Sequence, residues 1–79
     1  MKKHHKVYKD YFDIAEDEWS PCEVCGATAV DIHHIEFGRY KRSDEIGNLI
    51  GLCRYCHAQA HNNQLAKQEL QAIVAQRND

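Results

Sequence analysis

The sequence predicts a small α+β domain that a bound metal ion stabilises. Three observations support this: the chain has only 79 residues, it contains two Cys-x-x-Cys pairs, and a segment rich in β-branched residues precedes one of helical composition. A domain this short buries a modest share of its surface, so a metal site is the first stabilising feature to expect. We predict one domain with an N-terminal extension at 1–19, a zinc-bound core at 20–63 and a C-terminal helix at 64–79.

The N-terminal extension is rich in charged and aromatic side chains. Tyr11 and Phe12 follow Tyr8 by three and four positions, which favours one face of a short helix. We expect these rings to pack over the small core, with a contact surface for a partner as the alternative. His4 and His5 lie in a basic stretch, and we expect them to be solvated rather than to bind metal.

The core begins after Ser20-Pro21, because the residue before a proline is disfavoured in a helix. Residues 22–26 read Cys-Glu-Val-Cys-Gly and predict a zinc knuckle. Residues 27–35 are rich in β-branched side chains and predict a strand. The polar and basic residues 37–47 predict a loop.

The second half of the chain predicts a short strand and two helices. The strand is expected at 48–52, and a helix at 53–61 follows it directly. Residues 64–76 are helical by composition. This last helix offers a plausible buried stripe of four residues: Leu65, Leu70, Ile73 and Val74.

Four cysteines form two pairs, Cys22/Cys25 and Cys53/Cys56, with 27 residues between the pairs. Within each pair, the two-residue gap lets both sulfurs bind one ion at about 2.3 Å. We predict a structural Zn²⁺ bound by all four thiolates, which leaves no open coordination position for chemistry. The interval between the pairs exceeds the usual spacing of roughly 15 to 20 residues and fits an inserted β-hairpin.

Two other uses of these cysteines compete with zinc binding. Cys53-Arg-Tyr-Cys56-His57 matches the haem attachment pattern Cys-x-x-Cys-His. That use requires export, for which the N-terminus shows no apolar signal segment, and it leaves the first cysteine pair unexplained. A redox dithiol is disfavoured because no βαβ pattern surrounds either pair.

Four histidines and one asparagine lie between and beside the cysteine pairs. His33 and His34 are adjacent, and Asn48 follows His34 by fourteen residues. His57 and His61 are four residues apart, which places them on one face of a helix. The alternative is that these are surface histidines or hydrogen-bonded core histidines.

Together these residues resemble the HNH family of endonucleases. The resemblance spans roughly residues 20–61 and rests on Cys22-Glu-Val-Cys25-Gly26, Asp31-Ile-His33-His34-Ile35 and Asn48-Leu-Ile-Gly-Leu-Cys53-Arg-Tyr-Cys56-His57-Ala-Gln-Ala-His61. It implies a ββα-metal fold, which consists of a β-hairpin and a helix. It also implies hydrolysis of DNA phosphodiester bonds with one divalent ion, by nicking or double-strand cleavage.

The resemblance also implies a role for each residue. His34 is the general base, Asn48 holds the loop of the base, and His33 and His57 bind the catalytic ion. His61 matches a further ligand that only some members have. Imidazole ligands suit Mn²⁺, Ni²⁺, Co²⁺ or Zn²⁺ better than Mg²⁺, although Mg²⁺ can serve because the phosphate and waters complete its shell.

Two registers compete for the base. Many family members place a metal ligand directly before the base. If His33 were the base, Ile32 would occupy the ligand position and could not bind metal, so we choose His34. Because adjacent strand residues point to opposite faces, the strand must twist or end near His33 for both to reach one phosphate. Asp31 shares a face with His33 and could orient it.

The net charge of −2 disfavours DNA binding by the chain as a whole. The positive charge is local, since the densest basic run outside the N-terminal stretch contains Arg39, Lys41 and Arg42. We expect these three residues to contact DNA phosphates, and a solvated loop is the alternative.

The remaining predictions concern setting and partners. DNA is the expected partner, and a homodimer or larger assembly stays open. No run approaches the roughly 18 to 20 apolar residues that span a bilayer, so we expect a cytoplasmic protein without membrane contact. The competing function is a catalytically silent zinc module of HNH descent that binds DNA or protein.

Overall fold

Residues 2–36 and 42–77 are described by a computed structural model, and within them two strands and three α-helices follow one another. The order is α1 (Lys3–Tyr11), β1 (Asp31–His34), a 3₁₀ turn (Ile46–Asn48), β2 (Leu49–Leu52), α2 (Arg54–His61) and α3 (Lys67–Arg77). This is a small α+β structure, as predicted, with a hairpin, a helix directly after it and helices at both ends. None of the helices in these two ranges is long and apolar enough to cross a membrane.

The hairpin pairs β1 and β2 in antiparallel register. Ile32 lies opposite Gly51, His33 opposite Ile50, and His34 opposite Leu49. Because successive side chains alternate between faces, His33 and His34 point to opposite sides of the sheet. The hairpin therefore separates the two histidines that the sequence presents side by side.

Helix α1 packs on the face of the sheet that carries His34. Tyr8, which is 2% exposed, packs there against Ile32 and Leu49. A Cβ atom added to Gly51 would lie 2.9 Å from Tyr8 Oη. The lack of a side chain at this strand position is what allows the helix to approach the sheet so closely.

Helices α2 and α3 cover the opposite face. Ile50 and Leu52 pack there with three residues of the predicted stripe, Leu65, Leu70 and Val74, and Ile73 packs against them while partly exposed. The predicted stripe is thus largely buried, but the helix begins at Lys67 rather than at 64, so Leu65 precedes α3. The cysteines Cys22, Cys53 and Cys56 belong to the same buried cluster.

A partly buried ion pair joins the first cysteine knuckle to the end of α3. The Arg77 guanidinium donates to both carboxylate oxygens of Glu23 at 2.8 and 2.6 Å. The same carboxylate accepts from Tyr8 Oη at 2.6 Å and from the Gly51 amide at 3.1 Å. The knuckle, α1, the hairpin and α3 therefore meet at one carboxylate, and this contact fixes the knuckle relative to the sheet.

Two expectations about strand bounds were wrong. The strand predicted at 27–35 is confined to Asp31–His34. The reason is that the Ala29 amide donates to the Ser20 carbonyl, so the chain here bonds to the residues that precede the knuckle. The second strand begins at Leu49 rather than Asn48, because Asn48 ends the 3₁₀ turn.

The N-terminal aromatics divide between core and surface. Tyr8 is buried as expected, but Tyr11 is 54% exposed and Phe12 is 37% exposed. Tyr11 is the last residue of α1 and Phe12 is its C-cap, so both lie at the end of the helix, beyond the buried Tyr8. The expectation that all three rings pack over the core was therefore only partly right.

Candidate metal centre and active-site cleft

The four cysteines come together into one cluster. Their Sγ atoms all lie within 4.8 Å of one another, and Cys25 Sγ is 3.5 Å from Cys53 Sγ. Tetrahedral Zn–S bonds of about 2.3 Å place sulfurs roughly 3.8 Å apart, so these spacings fit a four-thiolate zinc ion. Four cysteines positioned in this way indicate zinc binding, and the grouping accounts for all four without haem.

The backbone prepares both pairs for this arrangement. The Gly26 amide donates to the Cys22 carbonyl at 2.9 Å, and Gly26 adopts a φ of 86° that favours glycine. Cys53 is the N-cap of α2, where its sulfur accepts the Cys56 amide. Burial alone would raise the pKa of the Cys22 thiol, but hydrogen bonds with the backbone of Cys25, Cys53 and Val24 lower it to about 7. Thiolate formation, which zinc binding requires, is thereby favoured at Cys22, whereas burial raises the pKa of the Cys56 thiol.

A second cluster contains His33 from β1 with His57 and His61 from α2. One ring nitrogen of each lies within 4.8 Å of the others, and the Nε2 atoms of His57 and His61 are 3.1 Å apart. The helix supplies two of the three imidazoles because residues four apart share a face. Burial, together with the neighbouring imidazoles of His57, His61 and His34, lowers the pKa of His33 to about 4. His33 is therefore neutral at pH 7, which is the form that binds metal.

His34 lies on the other face of the strand with different neighbours. Its Nε2 is 2.8 Å from Asp44 Oδ1, and this hydrogen bond holds the pKa of the Asp44 carboxyl below its usual range. The ring of His4 in α1 lies 4.3 Å from that of His34. His34 is 9% exposed as a result.

The side chain of Asn48 links two backbone stretches between the two strands. Its Oδ1 accepts the Glu36 amide at 2.7 Å, and its Nδ2 donates to the carbonyls of Glu36 at 3.0 Å and Ser43 at 2.8 Å. Glu36 lies two residues after His34, and Ser43 lies one residue before Asp44. One side chain therefore links the two backbone stretches that carry His34 and Asp44.

Both adjacent histidines reach one cleft of about 450 Å³. Strand β1 ends at His34, which agrees with the expectation that it must end or twist near His33. Arg42 also lines the cleft, together with Lys2 and the two α2 histidines. Arg39 and Lys41, the other two predicted DNA contacts, lie outside the described residues.

Sequence reasoning missed the histidines of α1. His4 is 7% exposed, and His5 Nε2 is 2.9 Å from Asp31 Oδ1, so the expectation that both are solvated was wrong. Asp31 also lies 3.9 Å from His57 Nδ1. A signal was available for His4, which precedes the buried Tyr8 by four positions and so shares its helix face. No comparable sequence signal was available for the contact between Asp44 and His34.

Comparison with known families agrees with this geometry. A family model described as HNH endonuclease matches residues 22–63, which is more than half of the chain. The chain belongs to the HNH endonuclease family. The HNH match begins at the first cysteine and ends two residues after His61, so it spans both metal-ligand clusters. No curated protein and no solved structure matches the chain.

Membership in the HNH family indicates a nuclease or another function in nucleic-acid processing. The two-stranded hairpin, the following helix and the clustered cysteines together agree with the ββα-metal fold of that family. Neither the described part of the chain nor these comparisons support a homodimer.

Proposed function

We propose that this protein is a metal-dependent HNH endonuclease that hydrolyses DNA phosphodiester bonds, by nicking or by double-strand cleavage. The observation that carries the proposal is the cleft in which the imidazoles of His33, His57 and His61 converge while His34 lines the same space. A cluster of metal ligands beside a separate imidazole provides the two groups that metal-assisted hydrolysis requires.

The three clustered histidines fit a catalytic divalent ion. The 3.1 Å between the Nε2 atoms of His57 and His61 is close to the roughly 3.3 Å that two nitrogens adopt around one tetrahedral ion. The donor set favours Mn²⁺, Ni²⁺, Co²⁺ or Zn²⁺ over Mg²⁺. An ion held here would polarise a phosphoryl oxygen and stabilise the departing 3′ oxygen.

His34 is the proposed general base. A carboxylate only accepts hydrogen bonds, so the contact with Asp44 places the proton of a neutral His34 on Nε2 and leaves the lone pair on Nδ1. In this account Nδ1 takes the proton from the attacking water. His33 suits the role poorly, because an imidazole with a pKa of about 4 is a weak base near neutral pH and lies among the ligands.

Asn48 is proposed to hold the loop of the base. Its three hydrogen bonds join Glu36 to Ser43, and the cleft depends on the strand end and the Asp44 segment keeping their relative position. An amide is suited to this task because it both donates and accepts. A carboxylate at this position would keep the acceptor and lose both donated bonds.

DNA contact is proposed for the basic segment that carries Arg39, Lys41 and Arg42. The position of Arg42 on the cleft supports this, and Lys2 adds a second cation to its lining. A net charge of −2 means that affinity must come from such local cations, since binding strength follows the number of neutralised phosphates.

One observation favours the silent-module alternative. His34 is 9% exposed and lies beneath His4, so substrate must reach a base that α1 partly covers. A protein of that kind would bind nucleic acid or protein through the same fold and would cleave nothing.

Incubation of the zinc-loaded protein with supercoiled plasmid and each of the five divalent ions distinguishes the two functions. Nicked or linear DNA, formed with at least one ion and lost on His34→Ala, is the expected outcome. Intact plasmid with every ion, from protein that holds one zinc and is folded by circular dichroism, would favour the silent module.

A further inference from the structure

A third group of ligand atoms lies on the side of the hairpin opposite the three clustered histidines. It consists of one ring nitrogen each from His4 and His34 and a carboxylate oxygen of Asp44, all within 4.8 Å of one another. The imidazole rings of His4 and His34 are 4.3 Å apart, and the His34 nitrogen is 2.8 Å from the carboxylate. Three separate parts of the chain, α1, β1 and the segment before the 3₁₀ turn, supply these atoms.

The spacing and chemistry of this group suit a transition-metal ion. Ligand atoms around a tetrahedral ion with bonds of about 2.0 to 2.1 Å lie roughly 3.3 Å apart, so small side-chain shifts complete the geometry. Two imidazoles and one carboxylate form a donor set that binds Zn²⁺, Co²⁺ or Ni²⁺ well and Mg²⁺ poorly. His4 and His34 both line the cleft, which leaves room for a water or phosphate oxygen as a further ligand.

The surrounding charges set how tightly an ion binds there. Asp31 lies close enough to His4 to act on it electrostatically, and it adds a second negative charge. Lys2 and Arg42 line the same cleft, and Lys3 acts on Asp44, so three cations oppose binding. An ion must also displace the proton that His34 shares with Asp44. The group is therefore expected to fill after the three clustered histidines.

We propose that His4, His34 and Asp44 form a second transition-metal site, distinct from the cluster of His33, His57 and His61. Occupation of this site inhibits cleavage, a consequence that rests on the proposed role of His34. The ion takes the lone pair of Nε2, and the proton of the neutral ring moves to Nδ1. The ring then has no free lone pair with which to accept a proton from water.

Ion counting tests the site without reference to activity. Zinc-loaded protein is dialysed against Co²⁺, and cobalt and zinc are counted in the same sample by elemental analysis. The wild type is expected to hold two Co²⁺ beyond its zinc, and His4→Ala and His57→Ala one each. His5→Ala is the matched control, since this neighbour on α1 belongs to a different group with His4 and Asp31, and it is expected to hold two.

Three results would overturn the proposal: one Co²⁺ in the wild type, two in His4→Ala, or the loss of one ion in His5→Ala. If His4→Ala does not fold, Asp44→Asn decides, because it removes the charged ligand while keeping the side-chain shape. In that variant the loss of one cobalt supports the site, and two retained cobalt ions contradict it.

Activity provides a second readout. Cleavage by the wild type is expected to rise and then fall as Co²⁺ increases, whereas with Mg²⁺ it should rise to a plateau. His4→Ala should lose the falling phase and keep the rising one, and a falling phase that persists unchanged would contradict the inhibitory site. A wild type that cleaves no DNA with any ion defeats the proposed function alone, since the cobalt count still decides the site.

Discussion

The protonation of His33 is set by its burial and by three imidazoles nearby. Its side chain is 8% exposed, and His57, His61 and His34 add to the burial in lowering its pKa to about 4. An unfolded histidine titrates near 6.5, so between about pH 6.5 and 4 the unfolded chain binds more protons than the folded one. The stability that neutral His33 contributes is full above pH 6.5 and is lost as the pH falls through this window.

This effect is measurable on protein that holds zinc but no ion at the histidines. The free energy of unfolding is expected to fall from pH 6.5 towards pH 4, and His33→Gln should make that fall shallower. Zinc is counted at each pH, because loss of the structural ion would also destabilise the chain. Equal pH slopes for the two proteins would mean that His33 is not titrating as its burial requires.

For single residues, the sequence predicts which nearby side chains cluster better than it predicts contacts between distant positions. The cysteine pairs and the His57/His61 pair follow from short spacings that the backbone converts directly into a shared face. Asp44 and His4 reach His34 from ten and thirty positions away in the chain, and no local pattern encodes such contacts. The expectation that His4 is solvated failed because it gave more weight to the charged residues around His4 in the sequence than to the helical spacing of His4 from Tyr8.

Among the elements, α1 depends on one strand position that lacks a side chain. A methyl group at Gly51 would meet Tyr8 Oη at 2.9 Å and the adjacent ring carbon at 3.2 Å. Gly51→Ala is therefore expected to lower the free energy of unfolding by about 1 to 3 kcal/mol, as other overpacked sites do. Gly47→Ala is the matched control, since nothing lies within 4 Å of the added methyl group there.

Thermal unfolding of the two glycine variants provides the measurement. A clearly lower Tm is expected for Gly51→Ala only, because the 3₁₀ turn that contains Gly47 has space for the methyl group. Similar Tm values for both variants would show that α1 does not rest on the hairpin through Tyr8.

The bounds and contacts of the helices and strands were only partly predictable from sequence. Leu70, Ile73 and Val74 identified α3 because apolar residues repeat at helical spacing, whereas Leu65 of the predicted stripe precedes the helix. The strand at 27–35 was predicted too long, because β-branched composition does not reveal that Ala29 bonds to Ser20 rather than to β2. The Arg77–Glu23 pair, which fixes α3 to the knuckle, joins positions 54 residues apart, so no local sequence pattern predicts it.

For the whole molecule, we propose two metal ions with different functions. The four-thiolate zinc would contribute to folding, whereas the second ion would be held by three imidazoles beside an open cleft. Mild chelation is therefore expected to remove the second ion and leave zinc and fold intact. His57→Ala should weaken only the second ion, while Cys53→Ser should unfold or aggregate the protein.

Elemental analysis and circular dichroism after each chelation step follow both ions. Simultaneous loss of both ions and of the fold in one step would mean that the two clusters are a single site. Retained zinc and fold in Cys53→Ser would remove Cys53 from the structural site.

We propose different roles for the two adjacent histidines: His34 transfers the proton, and His33 binds the metal. The most direct measurement is the initial rate of plasmid cleavage for His34→Ala and His33→Ala over a range of metal concentrations in which the wild-type rate does not decline. His34→Ala is expected to lose about 10² to 10⁴-fold at every concentration, because no ion replaces a missing base. His33→Ala should recover part of its rate as metal is raised, since it lacks only a ligand. Metal-dependent recovery in His34→Ala, with none in His33→Ala, would contradict the assignment.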